Sequence, residues 1–309
     1  MNKWDRREVL AGLAGLWALD LPAGTPAAGD VGVAFRGTVE ERAAAAIRLA
    51  TGKEPAPFFK AVVSPRDVVG LKLNCLGGRP LAPRVELVEA LVRFLVRAGV
   101  PEERILVWDR SDRELQRAGF DIRSDGGGYR CQGTNGQYDK EVVESRSVGT
   151  CFSSLLSKRI TKLINVGVLK DHDLSGISVG LKNYYGVIHN PNKYHGNNCS
   201  PFVAHLADHP HIRGKHILTV VDAEICQYNG GPAYRADAAV PYGAVAASAD
   251  LVACDFWGLR EIERIRREKK IKSLEAEKRA PAWLAVAGEI GLTRVRPETL
   301  RVADDRAGG

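Results

Sequence analysis

A strand, a helix and a second strand follow one another between residues 67 and 109, and that order fixes most of what this chain can become. Residues 67–74 carry the apolar run Val68-Val69-Gly70-Leu71, then Lys72 and Leu73. Residues 84–98 place Val85, Val88, Val92 and Leu95 on one helical face, which Leu87, Leu91 and Phe94 widen into a buried stripe. Gly99 and Pro101 stop the helix, and Ile105-Leu106-Val107-Trp108-Asp109 forms the next strand. Two strands joined through a helix lie parallel in one sheet.

The alternation continues. A capping box, Thr38 with Glu41, opens an alanine-rich helix over 38–50. Strands are expected over 161–169, 216–221 and 243–248, a helix over 250–267 with Asp250 at its N-cap, and another over 281–290. The polar, glycine-rich stretch 121–147 reads as an insertion or rim loop. The expected architecture is α/β: a three-layer, mostly parallel, Rossmann-like sheet with helices on both faces. Ligands of such sheets gather beyond the carboxyl ends of the strands. Asn74, Cys75, Asp109, Lys170, His172 and Asp222 all fall at those ends.

All seven histidines lie between His172 and His216. Leading into that window is Lys170-Asp171-His172, followed by Gly176, Ser178, Gly180, Lys182, Asn183 and Gly186. As one continuous helix, this segment would hold His172 and Lys182 about 15 Å apart. A glycine-rich turn feeding a helix near Gly180 would bring them together and aim free backbone N–H groups at an anion. His189, His195 and Cys199, in a loop rich in Pro, Gly and Asn, are candidate ligands for a divalent metal such as zinc or nickel. Turn histidines that merely satisfy local backbone are the alternative. His205, His209, His211 and His216 read as surface or helix-end residues.

The N-terminal 28 residues read as a signal peptide. Arg6-Arg7 precede an apolar run from Val9 to Leu21, and small residues lead to Ala28. This resembles a twin-arginine signal. It implies passage through the twin-arginine translocation machinery and a periplasmic or otherwise extracytoplasmic location. The run is too short to serve as a stable membrane anchor. Residues 29–309 would then form one α/β domain with its core over 60–265. The net charge of +7 draws much of its surplus from residues 260–279, where Lys, Arg and Glu alternate as on a solvated helix face. Without interleaved aromatics, that face is not expected to bind nucleic acid. The six cysteines include no C-x-x-C pair, so no iron–sulfur cluster is expected, although export would permit a disulfide. No Walker loop, nucleophile elbow or dinucleotide fingerprint is present.

The segments Val69-Gly70-Leu71-Lys72-Leu73-Asn74, the strand into Asp109-Arg110-Ser111, Asn165 through His172, Gly180-Leu181-Lys182-Asn183-Tyr184-Tyr185-Gly186, Val220-Val221-Asp222, Gly230-Gly231-Pro232 and Asp250 through Asp255 resemble the family catalogued as domain of unknown function 362. Some members carry a ferredoxin-like cysteine module, which this chain lacks. Separately, His172-x-x-x-Gly176-x-Ser178-x-Gly180-x-Lys182 is similar to a stretch of lactate racemase-type enzymes. That likeness implies a nickel-pincer nucleotide tethered at Lys182 and acid/base work by His172.

Together these readings suggest an exported enzyme acting on a small anionic ligand, a carboxylate or phosphate. Its chemistry would be metal-dependent or run through a lysine-tethered cofactor, as a racemase or other isomerase, or as an oxidoreductase. His172 and Lys182 would be catalytic. Lys72, Asn74, Lys170, Asn183 and Asp222 would hold the substrate. The alternative is a non-catalytic extracytoplasmic protein that captures a metal or an anion.

Overall fold

The computed structural model describes residues 29–306; the expected signal over 1–28 lies outside them. The strands are β1 (Val31–Ala34), β2 (Val69–Leu73), β3 (Ile105–Asp109), β4 (Arg130–Gly133), the hairpin pair β5 (Val143–Ser145) and β6 (Val148–Thr150), β7 (Lys162–His172), β8 (Gly176–Ile177), β9 (His216–Gln227), β10 (Ala239–Ser248) and β11 (Val302–Asp304). The main sheet runs β11-β1-β10-β9-β7-β2-β3-β4, with β8 paired to β7. From β9 to β4 every neighbouring pair is parallel; β10 lies antiparallel to both β9 and β1.

Helices α1 (Val39–Thr51), α2 (Pro55–Val62), α3 (Val85–Arg97) and α4 (Asp112–Ala118) cover one face. There Ile47, Phe59, Leu91 and Leu95 bury against Leu71, Leu73, Val107, Val166 and Val220. The other face is covered by α5 (Phe202–Ala207), α6 (Pro210–Arg213), α7 (Ala253–Glu268) and α8 (Trp283–Glu289). Trp257, Ile262 and Trp283 share that core with Trp108, Leu163, Leu169 and Val221. The chain therefore has the three-layer, mostly parallel α/β fold.

The capping box forms as expected: Thr38 N donates to Glu41 Oε2 at 2.7 Å, and Glu41 N donates back to Thr38 Oγ1 at 3.3 Å. Asp250 Oδ1 accepts from Val252 N and Ala253 N, at 2.8 and 2.9 Å, just before α7. Residues 121–147 are not simply a rim loop. Arg130–Gly133 joins the sheet as an edge strand parallel to β3, and Gly133 packs so tightly on the start of α4 that a Cβ would lie 2.4 Å from Ser111 C. Strands β7 and β9 run several residues further than expected, which carries Lys170, Asp171 and His172 into the sheet itself.

Candidate functional site

The chain leaves β2 towards β3 on one side, while β7 packs on the other side of β2. Loops leaving the carboxyl ends of β2 and β7 diverge at this point, and such switch points are where open α/β sheets leave room for ligands. Lys72 and Asn74 lie at the end of β2, and Lys170 and His172 at the end of β7. A hydrogen bond from Lys170 Nζ to Asn74 Oδ1, 3.1 Å, spans the junction.

Between His172 and Lys182 the glycine-rich turn forms and the continuous helix does not. Beyond His172 the chain reverses into β8, with Gly176 at φ 77°, and a 3-10 helix begins at Leu181. The expected anion at that helix start is replaced by protein. Asp255 on α7 accepts from Gly180 N at 2.8 Å and Leu181 N at 2.9 Å. Burial raises the Asp255 carboxyl to about 7. Gly180 is required here, because a Cβ would stand 2.6 Å from Asp255 Oδ2.

The three expected lysines have different surroundings. Lys72 is fully buried in a closed network: Nζ donates to Asp109 Oδ1 at 2.6 Å, to Leu73 O at 2.7 Å and to Asn183 Oδ1 at 3.2 Å. Asn183 Nδ2 in turn donates to Asn165 Oδ1 at 2.8 Å, and Asn165 Nδ2 to Gly180 O at 2.9 Å. With every ammonium proton engaged, Lys72 and Asn183 brace the turn and have no hydrogen left for a substrate.

Lys170 is buried as deeply and Lys182 nearly so, but neither makes an ion pair among the described residues. Lys170 Nζ has two neutral acceptors, Asn74 Oδ1 and, at 3.3 Å, Pro232 O. Burial pushes its amine down to about 8. Lys182 Nζ has one acceptor, His195 Nε2 at 3.3 Å, and sits 3.6 Å from the centre of the Tyr185 ring. Burial, with the nearby Lys170 charge adding to it, lowers the Lys182 amine to about 7.

The histidines take fixed tautomers. His195 Nδ1 faces Pro191 O at 3.0 Å; a carbonyl only accepts, so Nδ1 carries the proton and Nε2 offers its lone pair to Lys182. His172 Nδ1 accepts from Leu174 N at 3.1 Å and Ser175 N at 3.3 Å, leaving Nε2 as the protonated nitrogen. Its ring stacks on His195 with centroids 5.9 Å apart. Burial, reinforced by the Lys182 charge, drives the imidazole down to about 2. His172 is thus a neutral hydrogen-bond donor, and the titratable amine beside it is Lys182.

Two expected groupings are not brought together. His189 Nδ1 is taken by Cys151 N at 3.0 Å, while His195 and Cys199 sit beside Lys182 and Tyr185. Among the described residues no set of three His, Cys, Asp or Glu side chains converges to hold a metal ion. Asp222 is consumed by Arg84, which reaches Oδ2 through Nε at 2.9 Å and Oδ1 through Nη2 at 3.0 Å. It lines a separate cavity of about 170 Å³ with Arg79, Val168 and Glu224. All six cysteines are buried free thiols. Asp255, Asn165, Tyr185 and Arg279 are the site residues that sequence reasoning missed. Arg279 Nη1 donates to Asp171 Oδ2 at 2.8 Å, and Gly231 N to Asp171 Oδ1 at 2.7 Å, which clamps the strand between Lys170 and His172.

A family model described as a domain of unknown function (DUF362) matches residues 69–260. That span holds β2 through β10 and every site residue named above except Arg279. No curated protein matches the chain, so the likeness of residues 172–182 to lactate racemase-type enzymes rests on those residues alone. A crystal structure of a Thermotoga maritima protein aligns at 11% identity with a TM-score of 0.39, covering 70% of this chain and 58% of that one. Among the described residues no helix is long and apolar enough to cross a membrane.

Proposed function

The chain belongs to the family described as a domain of unknown function (DUF362), and from its own residues we propose an enzyme that acts on a small anion, a carboxylate or phosphate, at the junction of β2 and β7. One observation carries this reading: Lys170 and Lys182 are both buried, the Lys182 amine is depressed by that burial and by the Lys170 charge, and neither makes an ion pair with a carboxylate among the described residues. Burying unpaired ammonium groups is costly. Elsewhere in this protein the cost is met in the ordinary way, Lys72 by Asp109 and Arg279 by Asp171. An anion bridging the two free lysines would supply the missing charge, with Asn74 and the His172 Nε2–H as neutral hydrogen-bonding partners.

The enzyme reading is favoured over simple capture by Lys182. An amine near 7 exchanges its proton at ordinary pH, as a general base or nucleophile must. Isomerase or redox chemistry on a small hydroxy or oxo acid would use that property, whether the amine acts alone or tethers a cofactor. The export reading of Arg6-Arg7 places this work outside the cytoplasm.

The test is calorimetric titration with lactate, pyruvate and inorganic phosphate. Wild-type protein is expected to bind at least one of them. Lys170→Met is expected to weaken that binding by ten- to a hundredfold, about 1.4–2.8 kcal/mol. Equal binding by wild type and Lys170→Met would reject the site. Binding with no turnover under any condition would leave the capture protein as the better description.

A further inference from the structure

We propose that Lys182 is a carbonyl-capturing amine, which condenses with the oxo group of a small 2-oxo carboxylate whose carboxylate rests on Lys170. The inference deepens the anion reading and depends on it. It narrows the ligand to one bearing two different groups, because the two lysines are chemically unlike. Lys170 is held by two neutral oxygens, Asn74 Oδ1 and Pro232 O, and serves as a fixed cation. Lys182 has a single acceptor, an imidazole lone pair, with the Tyr185 ring against it.

The neighbours of Lys182 are those an imine-forming amine needs. Burial without a carboxylate favours the neutral, nucleophilic amine, and the amine near 7 agrees with this. His195 Nε2, 3.3 Å away, can take a proton from it; the Pro191 carbonyl on His195 Nδ1 then steadies the imidazolium. This repeats the arrangement of a nucleophile, its base and a group that orients the base. His172, stacked on His195, carries its own ring proton on Nε2 because Nδ1 accepts from Leu174 N.

The step balances without an oxidant or reductant. The Lys182 lone pair forms the C–N bond while the carbonyl π pair moves onto oxygen. One N–H proton passes through His195 Nε2 to that oxygen, giving a carbinolamine. A second proton, from solvent through the same imidazole, lets the hydroxyl leave as water, and a protonated imine remains. The iminium then withdraws electrons from the adjacent carbon, which suits proton exchange, isomerisation or loss of a carboxyl group.

The experiment is reductive trapping. Full-length protein is incubated with pyruvate or glyoxylate, treated with sodium borohydride, and examined by intact mass and peptide mapping; lactate binding is measured in parallel. The expected result is one reduced adduct per chain, located on Lys182. Wild-type protein should be trapped about tenfold more readily by pyruvate than by propionaldehyde, which lacks a carboxylate, and Lys170→Met should abolish that preference. Lactate binding without any Lys182 adduct would overturn the imine inference and leave the anion site standing. Adducts spread over surface lysines, with Lys182 unmodified, would overturn it equally. Binding of inorganic phosphate alone would overturn the imine inference and keep the anion site. Failure to bind lactate, pyruvate, glyoxylate and phosphate alike would remove both readings together.

Discussion

Replacing Asp109 with alanine should destabilise the protein by about 3–5 kcal/mol, the range observed when one member of a buried ion pair is removed. Asp109 accepts from Lys72 Nζ, from Cys75 N at 2.7 Å and from Arg110 N at 2.7 Å. The substitution would leave a fully buried ammonium without its counter-ion and the first amide beyond Asn74 without an acceptor. Lys72→Met with Asp109→Leu removes both charges and should recover much of the loss, since well-packed apolar pairs often match buried ion pairs. Urea unfolding of the single and double variants checks this. A single variant within 1 kcal/mol of wild type would show that the Lys72–Asp109 pair does not hold the two strand ends together.

Lys182→Met should act in the opposite direction and stabilise the protein. The wild-type amine falls from its ordinary 10.5 to about 7 on folding. Below pH 7 both folded and unfolded chains hold the proton, and the burial penalty is fully present. Between pH 7 and 10.5 the unfolded chain binds the proton that the folded chain has lost, so wild-type stability rises with pH. Replacing the lysine with methionine, similar in length and uncharged, should therefore add about 1–4 kcal/mol at pH 6. The gain should shrink steadily towards pH 10. Thermal or urea unfolding of both proteins across that range measures the difference. A gain that does not change with pH would mean that the amine is not proton-depleted in the fold. Trapping of a carbonyl substrate should vanish in the same variant, so the residue trades stability for chemistry.

Much of the scaffold was legible in the sequence because its signals are local. The stripe of Val85, Val88, Val92 and Leu95 and the apolar runs ending at Leu73 and Asp109 need only the periods of helix and strand. They also locate the site, since polar residues at the ends of parallel strands meet at one edge. Asn74, Lys170 and His172 were identified this way and fall at the β2–β7 junction, whereas Asp222, expected beside them, pairs with Arg84; Lys182 was singled out by the glycine-rich turn.

Which of them would be engaged could not be read the same way. Lys72 and Lys170 look alike in sequence, and only the position of Asp109 across the sheet makes one a strut and leaves the other unpaired. His189 was equally plausible as a metal ligand until the Cys151 backbone, 38 residues earlier, was found to occupy its ring nitrogen. Asp255 and Arg279 reach the site from 75 and 108 residues beyond their partners. Nothing local marks Asp255 as the cap of a helix that begins at Leu181. Residues 130–133 were missed as a strand because glycines and polar side chains suit an edge strand as well as a loop.

Two buried lysines without a carboxylate in ion-pair contact should reveal themselves when their side-chain nitrogens are titrated. Protein labelled with ¹⁵N-lysine, with Lys170→Met and Lys182→Met to assign the two Nζ resonances, should show midpoints near pH 8 and pH 7. Both midpoints should move upward when a bound carboxylate or phosphate is present, because an adjacent anion favours the charged amine. Midpoints at the ordinary lysine value of 10.5 in the absence of ligand, unmoved by any anion, would mean that neither amine needs a bound anion to balance its charge.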